Sequence, residues 1–387
     1  MKIAFFTDVF LPRIDGVSNS VYHLSRRMAA DGHQVMIFAP KLNGSENVEV
    51  EGVDVEFLPS IPAFVYPDTR IGLLSPKLFK KINDFQADII HVTAPATLGL
   101  MGLMFSRNQE VPAVGAFHGY FMTPEYLEIV GIKKLTKPFE KMLWRIARDF
   151  YNKCDLVITP SEYVKQDLLS HGFETPITVI NNAVDIDADD ADDRLLKKFK
   201  NKHQIQDINT ILYVGRISVE KNLKQLLEVF KQIKDKQADS QLVVIGTGPQ
   251  LQELKDYAEV LNIANGVIFT GSVDHDFLIK AGLYRLGDVF VTCSTSEVQP
   301  MSIIEAMNFG MPIVAAKARG VEEMVDRNGY LIKPGKIGQM AGKIAKILSS
   351  QELQQKLGKS SQQRAKKYDL VNVAQQHVQT YQDMIAS

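Results

Sequence analysis

The chain has 387 residues, 45% of them hydrophobic and 23% charged. That is the balance of a globular protein long enough for two domains, and it excludes a disordered chain, a collagen-like repeat and a coiled-coil rod. Lys plus Arg number 44 against 45 Asp plus Glu, for a net charge of −1, so no global electrostatic grip on nucleic acid is expected, and nucleic acid is not among the expected partners. The two cysteines, Cys154 and Cys293, both sit in apolar stretches. They read as core thiols of a reducing compartment rather than as a disulfide framework or zinc site. Ile3-Ala4-Phe5-Phe6 meets Asp8 at once, too short a run for a signal core. The longest apolar runs, such as 97–105, fall well below the roughly 20 residues that span a bilayer. A cytoplasmic chain is expected, touching membrane only peripherally.

In chain order, β-branched runs predict strands at 2–7, 34–39, 89–92, 111–117, 156–160 and 178–180, with helical periodicities over 18–31, 140–152 and 163–171. Uniformly apolar strands separated by helices imply a parallel sheet covered on both faces. The alternation breaks at 185–193, where six of nine residues are aspartate, followed by Lys197, Lys198 and Lys200. A charged, solvated connector of this kind suits a domain boundary. Strands resume at 210–215, 242–246, 267–271, 289–292 and 313–316, and a final helix from 369 has no strand after it. The expected division is 1–190, 191–368 and a C-terminal helix, 369–387, packing back toward the first domain. Both domains read as doubly wound α/β. Ligands in such sheets bind at the carboxyl ends of the strands, so a two-domain chain is expected to use the cleft between them.

Four stretches carry chemistry. The first βα turn, Thr7 to Ser18, follows a buried strand and opens a helix at Ser18, a good N-cap. Gly16 lets backbone approach a ligand, and the helix N-terminus favours an anion. It is not G-x-G-x-x-G, which disfavours a nicotinamide cofactor; a plain β-to-α turn explains its spacing equally well. In the second domain Gly215-Arg216 ends one strand and Glu220-Lys221-Asn222 opens the next helix. Two cations after one strand form a natural diphosphate clamp, where isolated cations would read as surface salt bridges. Gly246-Thr247-Gly248-Pro249 is a tight turn and alone says little. The strongest stretch runs from Ser294 to Met307, with Glu297 in the loop and Glu305 on the following helix. That helix is mostly apolar, so Glu305 needs a polar partner or a ligand. A carboxylate at this edge suits ribose or sugar hydroxyls; a capping or salt-bridged glutamate is the alternative.

Together these residues closely resemble the retaining glycosyltransferases of family 4, whose GT-B fold has two Rossmann-like doubly wound domains facing across a cleft. The resemblance runs from Asp8, Pro12 and Gly16-Val17 through Phe117-His118, Ser161-Glu162 with Lys165, and Asn181-Asn182-Ala183-Val184-Asp185. It continues through Gly215-Arg216, Glu220-Lys221-Asn222 and Gly246-Thr247-Gly248-Pro249 to the paired glutamates. It implies a UDP-sugar donor whose diphosphate is neutralised by Arg216 and Lys221, with Glu305 on the ribose and Glu297 facing the transferred sugar. Gly246, Gly248, Met301 and Ser302 join the donor site, Gly16 approaches the phosphates or acceptor, and His118 lies near the reaction centre. It implies no covalent nucleophile, since the leaving phosphate takes the acceptor proton on the same face, and neither metal nor other cofactor. Three positions depart from the family pattern: Gly119 where threonine is usual, Pro300 where glycine is common, and Val321-Glu322-Glu323 for Val/Ile-Pro-Glu. They bear on the identity of the sugar, because proline offers no N–H.

For the acceptor, the stretch 133–153 carries Lys133, Lys134, Lys137, Lys141, Arg145, Arg148 and Lys153, with apolar residues at helical spacing and Trp144, the chain's single tryptophan. A basic amphipathic helix with an aromatic reads as an anchor on anionic membrane lipids, to which Phe121, Tyr126, Leu127 and Ile129 with Lys77, Lys80 and Lys81 could add. An ordinary core face with solvated cations opposite is the competing account. The resemblance extends to lipid glycosyltransferases that make glucosyl-diacylglycerol in Gram-positive bacteria and sulfolipid in phototrophs. The leading expectation is transfer of glucose from UDP-glucose to diacylglycerol at the cytosolic membrane face, giving an α-glycosyl-diacylglycerol. Alternatives are a second hexose, glucose or galactose, added to glycosyl-diacylglycerol, a soluble acceptor, or a UDP-sugar 2-epimerase-like isomerase needing no acceptor.

Overall fold

The structure is a computed structural model that describes residues 1–13, 16–62, 70–73, 75–120, 122 and 137–387. Contacts divide the chain into two units, Met1–Ala183 with Leu370–Ser387, and Val184–Asp369. The first crossing falls ahead of the aspartate run, not after residue 190. The reason is local: the Val184 N–H donates to the Tyr368 carbonyl at 3.0 Å, and the Val184 side chain is buried in the second unit's core. The aspartates do defined work as caps. Asp187 accepts from the Asp189 N–H at the turn Ala188–Asp190, and Asp192 accepts from the Arg194 N–H at the head of helix Asp193–His203.

The first unit contains β1 (Lys2–Phe6), β2 (Gln34–Pro40), β3 (Val53–Leu58), β4 (Ser60–Pro62), β5 (Arg70–Gly72), β6 (Ile89–Val92), β7 (Ala113–Ala116), β8 (Leu156–Thr159) and β9 (Ile177–Val179). Seven of these form a parallel sheet in the order β3-β2-β1-β6-β7-β8-β9, and β4 and β5 pair antiparallel. β3 lies outside the sequence expectation because it is an edge strand, and its Val-Asp-Val-Glu alternation lacks the apolar run of the others. Its Glu56 is buried and paired with Lys77 and Lys81 from helix Pro76–Phe85. The apolar run at 97–105 belongs to helix Thr97–Gln109, pressed hard on the sheet. A Cβ on Gly99 would stand 1.9 Å from the Ala94 carbonyl oxygen, and one on Gly102 would stand 2.6 Å from Val92. Asp8 meets the N-terminus of that helix, accepting from the N–H groups of Leu98 at 3.0 Å and Gly99 at 3.3 Å. Helix Leu370–Ala386 completes this core with Leu370, Val373, Ala374 and Tyr381. The Tyr381 hydroxyl lies 2.6 Å from Nδ1 of buried His91.

The second unit contains β10 (Asn209–Val214), β11 (Ser240–Ile245), β12 (Val267–Gly271), β13 (Val289–Thr292), β14 (Ile313–Ala316) and β15 (Gly329–Ile332), all parallel in the order β12-β11-β10-β13-β14-β15. Alternate residues of β10 feed two cores, Ile211 and Tyr213 on one face and Leu212 and Val214 on the other. Strands buried on both faces read as continuous apolar runs, which is why the sequence revealed β10, β11, β13 and β14; β15, a half-buried edge strand, lies outside the sequence expectation. The strand order reverses between β10 and β13, the switch point at which an open α/β sheet leaves a crevice beyond its carboxyl ends. Cys154 and Cys293 are free and buried, and burial pushes both thiols up to about 12.

Candidate functional site

The loops after β10 and β13, on either side of the second unit's switch point, hold the predicted charges. β10 ends at Val214, and Gly215 after it, with a φ of 152°, opens the turn to exposed Arg216, whose carbonyl accepts from the Tyr213 hydroxyl at 2.8 Å. Lys221 closes the short 3₁₀ turn Val219–Lys221. Asn222 follows at φ 53°, a left-handed position asparagine tolerates, and helix Leu223–Lys234 begins after it. The Ser294 hydroxyl ties the β13 loop to this turn, donating to the Glu220 carbonyl at 3.1 Å. Across the switch point the Lys221 ammonium is paired with the Glu297 carboxylate, both half-buried. Burial opposes the Lys221 charge, but Glu297 and then Glu220 hold its pKa above the ordinary lysine value.

Gly246 and Gly248 have a steric explanation of their own. A Cβ on Gly246 would stand 2.0 Å from the Gly215 carbonyl oxygen, and one on Gly248 would stand 2.1 Å from that of Ile217. The two loops are laced together by Gly215 N–H to Ile245 and Ile217 N–H to Thr247, so only glycine fits between them. Met301 and Ser302 open helix Met301–Asn308, and Pro300 at its N-cap supplies no side chain to the first turn. N–H groups at such a start are available to hydroxyls or anions.

Glu305, on the same helix, is buried among Ile303, Ile304, Ala306 and Met307. The polar partner its setting requires comes from the protein: the Tyr284 hydroxyl donates to Oε2, and Nε2 of His275 lies 3.0 Å from Oε1. Burial opposes charge on His275, yet Glu305, Asp276 and Asp274 hold its pKa above the ordinary imidazole value. Sequence reasoning missed both partners. They lie between β12 and β13 at no motif spacing; the only signal was the unmet need of Glu305 itself.

In the first unit Gly16 begins helix Gly16–Ala30 in the open, with nothing within 4 Å of where its Cβ would be. No packing within that unit accounts for a glycine there. His118 follows β7 and lines a pocket with Ser20, His23, Asn181, Asn182 and His377. Burial, with His377 nearby, pulls the His118 imidazole down to about 4. At neutral pH it is an uncharged hydrogen-bonding group.

The basic stretch is helix Lys137–Tyr151; Lys133 and Lys134 lie outside the described residues, as do Phe121, Tyr126, Leu127 and Ile129. Ala147, Phe150 and Tyr151 are buried, but Met142 and Ile146 are each 46% exposed beside exposed Lys141 and Arg145. Trp144 is engaged inward, its ring stacked on His171 at 3.6 Å between centroids, and Arg145 and Arg148 pair with Asp149. Among the described residues, no helix is long and apolar enough to cross a membrane, and no group of three or more His, Cys, Asp or Glu is placed to hold a metal ion.

Comparison with known proteins covers both units. A family profile described as Glycosyltransferase Family 4 matches residues 14–188, and one described as Glycosyl transferases group 1 matches residues 197–364. An alpha-monoglucosyldiacylglycerol synthase of Streptococcus pneumoniae is 30% identical over 320 residues, 81% of this chain and 71% of its own. The sulfoquinovosyl transferase of Arabidopsis thaliana is 28% identical over 92% of this chain and 68% of its own. A GDP-mannose-dependent alpha-mannosyltransferase of Corynebacterium glutamicum is 24% identical over 86% of this chain and 76% of its own. The crystal structure of Anabaena HepE in complex with UDP matches with a TM-score of 0.80 at 22% identity, covering 99% of this chain and 100% of that one.

Proposed function

The chain belongs to glycosyltransferase family 4 and has the GT-B fold, and from that premise we propose that it moves glucose from UDP-glucose to diacylglycerol at the cytosolic face of the membrane, with retention, forming an α-glucosyl-diacylglycerol. The observation that carries the donor half is the Lys221–Glu297 pair across the switch point, with Arg216 on the same loop. Positive charge fixed there before reaction meets the charge that develops on the departing diphosphate, and fixed charge stabilises a transition state without reorganisation. Glu297 holds the Lys221 ammonium in place and presents its remaining acceptor capacity to the sugar. Glu305 takes the ribose hydroxyls. The N–H groups that open helix Met301–Asn308 reach donor oxygens, which leaves the missing Pro300 N–H to shape sugar choice. The leaving phosphate accepts the acceptor's proton on the face it departs from, so no carboxylate nucleophile is required. Neutral His118 hydrogen-bonds the sugar, and Gly16, with no Cβ, admits the reacting groups. Arg216 and Lys221 supply the cationic charge, and the proposed chemistry draws on no metal.

The acceptor half is supported by the diacylglycerol synthase and sulfoquinovosyl transferase relatives. It is also supported by Met142 and Ile146, exposed among cations on helix Lys137–Tyr151. An amphipathic basic helix gains from both apolar insertion and attraction to anionic lipid. The test is mass spectrometry of products after incubation with UDP-sugars, GDP-mannose and anionic vesicles containing diacylglycerol, beside the Lys221→Ala variant. A hexosyl-diacylglycerol formed from UDP-glucose, and reduced at least a hundredfold by the variant, supports the proposal. Product only when monohexosyl-diacylglycerol is supplied makes this the second transfer. Product only from GDP-mannose overturns the donor, and UDP release only with a soluble extract overturns the lipid acceptor. Consumption of a UDP-sugar with no acceptor points to an isomerase.

A further inference from the structure

We infer that His275 and Tyr284 are positioning residues that preset the Glu305 carboxylate as a two-pronged acceptor for a vicinal diol, and so set the preference of the donor site for ribose over deoxyribose. The inference rests on the reading of Glu305 as the ribose contact.

The Glu305 side chain is 6% exposed and its helix neighbours are apolar, so an ionised carboxylate there depends on the donors it finds. A carboxylate offers about four lone-pair positions. The Tyr284 hydroxyl takes one on Oε2 and His275 Nε2 takes one on Oε1. Each oxygen therefore keeps one acceptor position, the pattern that two adjacent hydroxyls match.

Both donors are themselves held. Tyr284 is fully buried, and its ring stacks on Phe309 at 5.6 Å with 16° between planes. Burial first, then Glu305, puts its phenol far above the ordinary range, so it remains a donor at any working pH. His275 begins helix His275–Lys280, whose N-cap Asp274 accepts from the Phe277 N–H at 3.0 Å. With Asp274, Asp276 and Glu305 around it, the imidazole carries positive charge more readily than a free histidine. That charge offsets Glu305 in a site built for an anionic diphosphate.

The experiment is calorimetric titration of UDP and 2′-deoxy-UDP into the wild type and four variants: Glu305→Gln, His275→Ala, His275→Gln and Tyr284→Phe. The readout is the ratio of the two affinities, in which phosphate titration and general loss of folded protein cancel. The wild type prefers UDP, and Glu305→Gln removes that preference. His275→Ala and Tyr284→Phe each lower the ratio roughly tenfold, the size of one hydrogen bond to a charged group. His275→Gln, whose amide also donates, retains most of it. If His275→Ala and Tyr284→Phe weaken both nucleotides equally, the two side chains only pack the site and the inference is overturned while the ribose reading stands. If Glu305→Gln leaves the ratio unchanged, the ribose reading fails and the inference falls with it. Should Tyr284→Phe not fold, His275→Ala decides alone.

Discussion

Lowering the pH from 7.5 to 5.5 should destabilise the first unit through His377, and replacing that residue should remove a calculable share of the effect. His377 is buried on helix Leu370–Ala386, and its imidazole is pulled from 6.5 down to about 4 by burial, against a hydrogen bond to the Val373 carbonyl at 3.0 Å. A base whose folded pKa lies below its unfolded pKa stays neutral in the fold while the unfolded chain takes up protons. Stability is therefore complete above pH 6.5 and is lost progressively from there toward pH 4. One pH unit is worth about 1.4 kcal/mol, so His377 contributes a loss of ~1.4 kcal/mol at pH 5.5 and up to ~3 kcal/mol near pH 4. His91, held well below its ordinary value, acts in the same sense, and Asp8, lifted to about 6, acts in the opposite one. The readout is accordingly the difference between wild type and His377→Gln, which keeps a donor but no longer titrates. Trp144 is the single tryptophan and lies in the first unit, so its fluorescence follows that unit through a urea titration. For a slope of ~2 kcal/mol/M, the wild-type midpoint should fall about 0.7 M further than that of the variant between pH 7.5 and 5.5. Equal pH dependence in the two proteins refutes the argument.

Two other predictions contrast packing with function. Gly248→Ala puts a Cβ 2.1 Å from a backbone oxygen, which should cost about 1–3 kcal/mol or more, seen as a lowered melting temperature of the second unit. Gly16→Ala, which meets nothing within 4 Å, should leave that temperature unchanged and lower turnover; a lowered melting temperature with normal turnover would show that Gly16 serves folding. On the membrane side, Lys137→Ser with Lys141→Ser should weaken binding to anionic vesicles about thirtyfold, from ~1 kcal/mol per cation near the surface, while UDP affinity holds. Unchanged vesicle sedimentation would assign those lysines to solvent alone.

What could be read from the sequence followed burial. The inner strands of the second unit, β10, β11, β13 and β14, are buried on both faces, so their apolar runs stand out, whereas the half-buried edge strand β15 was missed. β3 is an edge strand whose Asp54 and Glu56 break the run, and Glu56 found its cations on a helix that no strand pattern predicts. Gly246 and Gly248 looked like turn punctuation, because spacing does not reveal which backbone oxygen would stand about 2 Å from a Cβ placed there. The need of Glu305 for a partner was legible from the apolar helix around it. The identity of that partner was not, since His275 and Tyr284 are brought to it only when the segment between β12 and β13 folds back on the sheet. The division of the chain falls at 183/184, ahead of the aspartate run, because the carboxylates of that run cap elements that already belong to the second unit.

The division of the chain has a consequence for synthesis. Residues 184–369 form an uninterrupted unit, whereas the first unit needs Leu370, Val373, Ala374 and Tyr381 to fill a core whose other members precede residue 184. Translation adds residues one way at about 5–20 per second, so the second unit can close while the first still has an open flank and His91 still lacks the Tyr381 hydroxyl. The first unit emerges first and finishes last. A chain truncated before residue 370 would therefore lose the half of the molecule that lies farthest from the cut in sequence, and keep the half nearest to it.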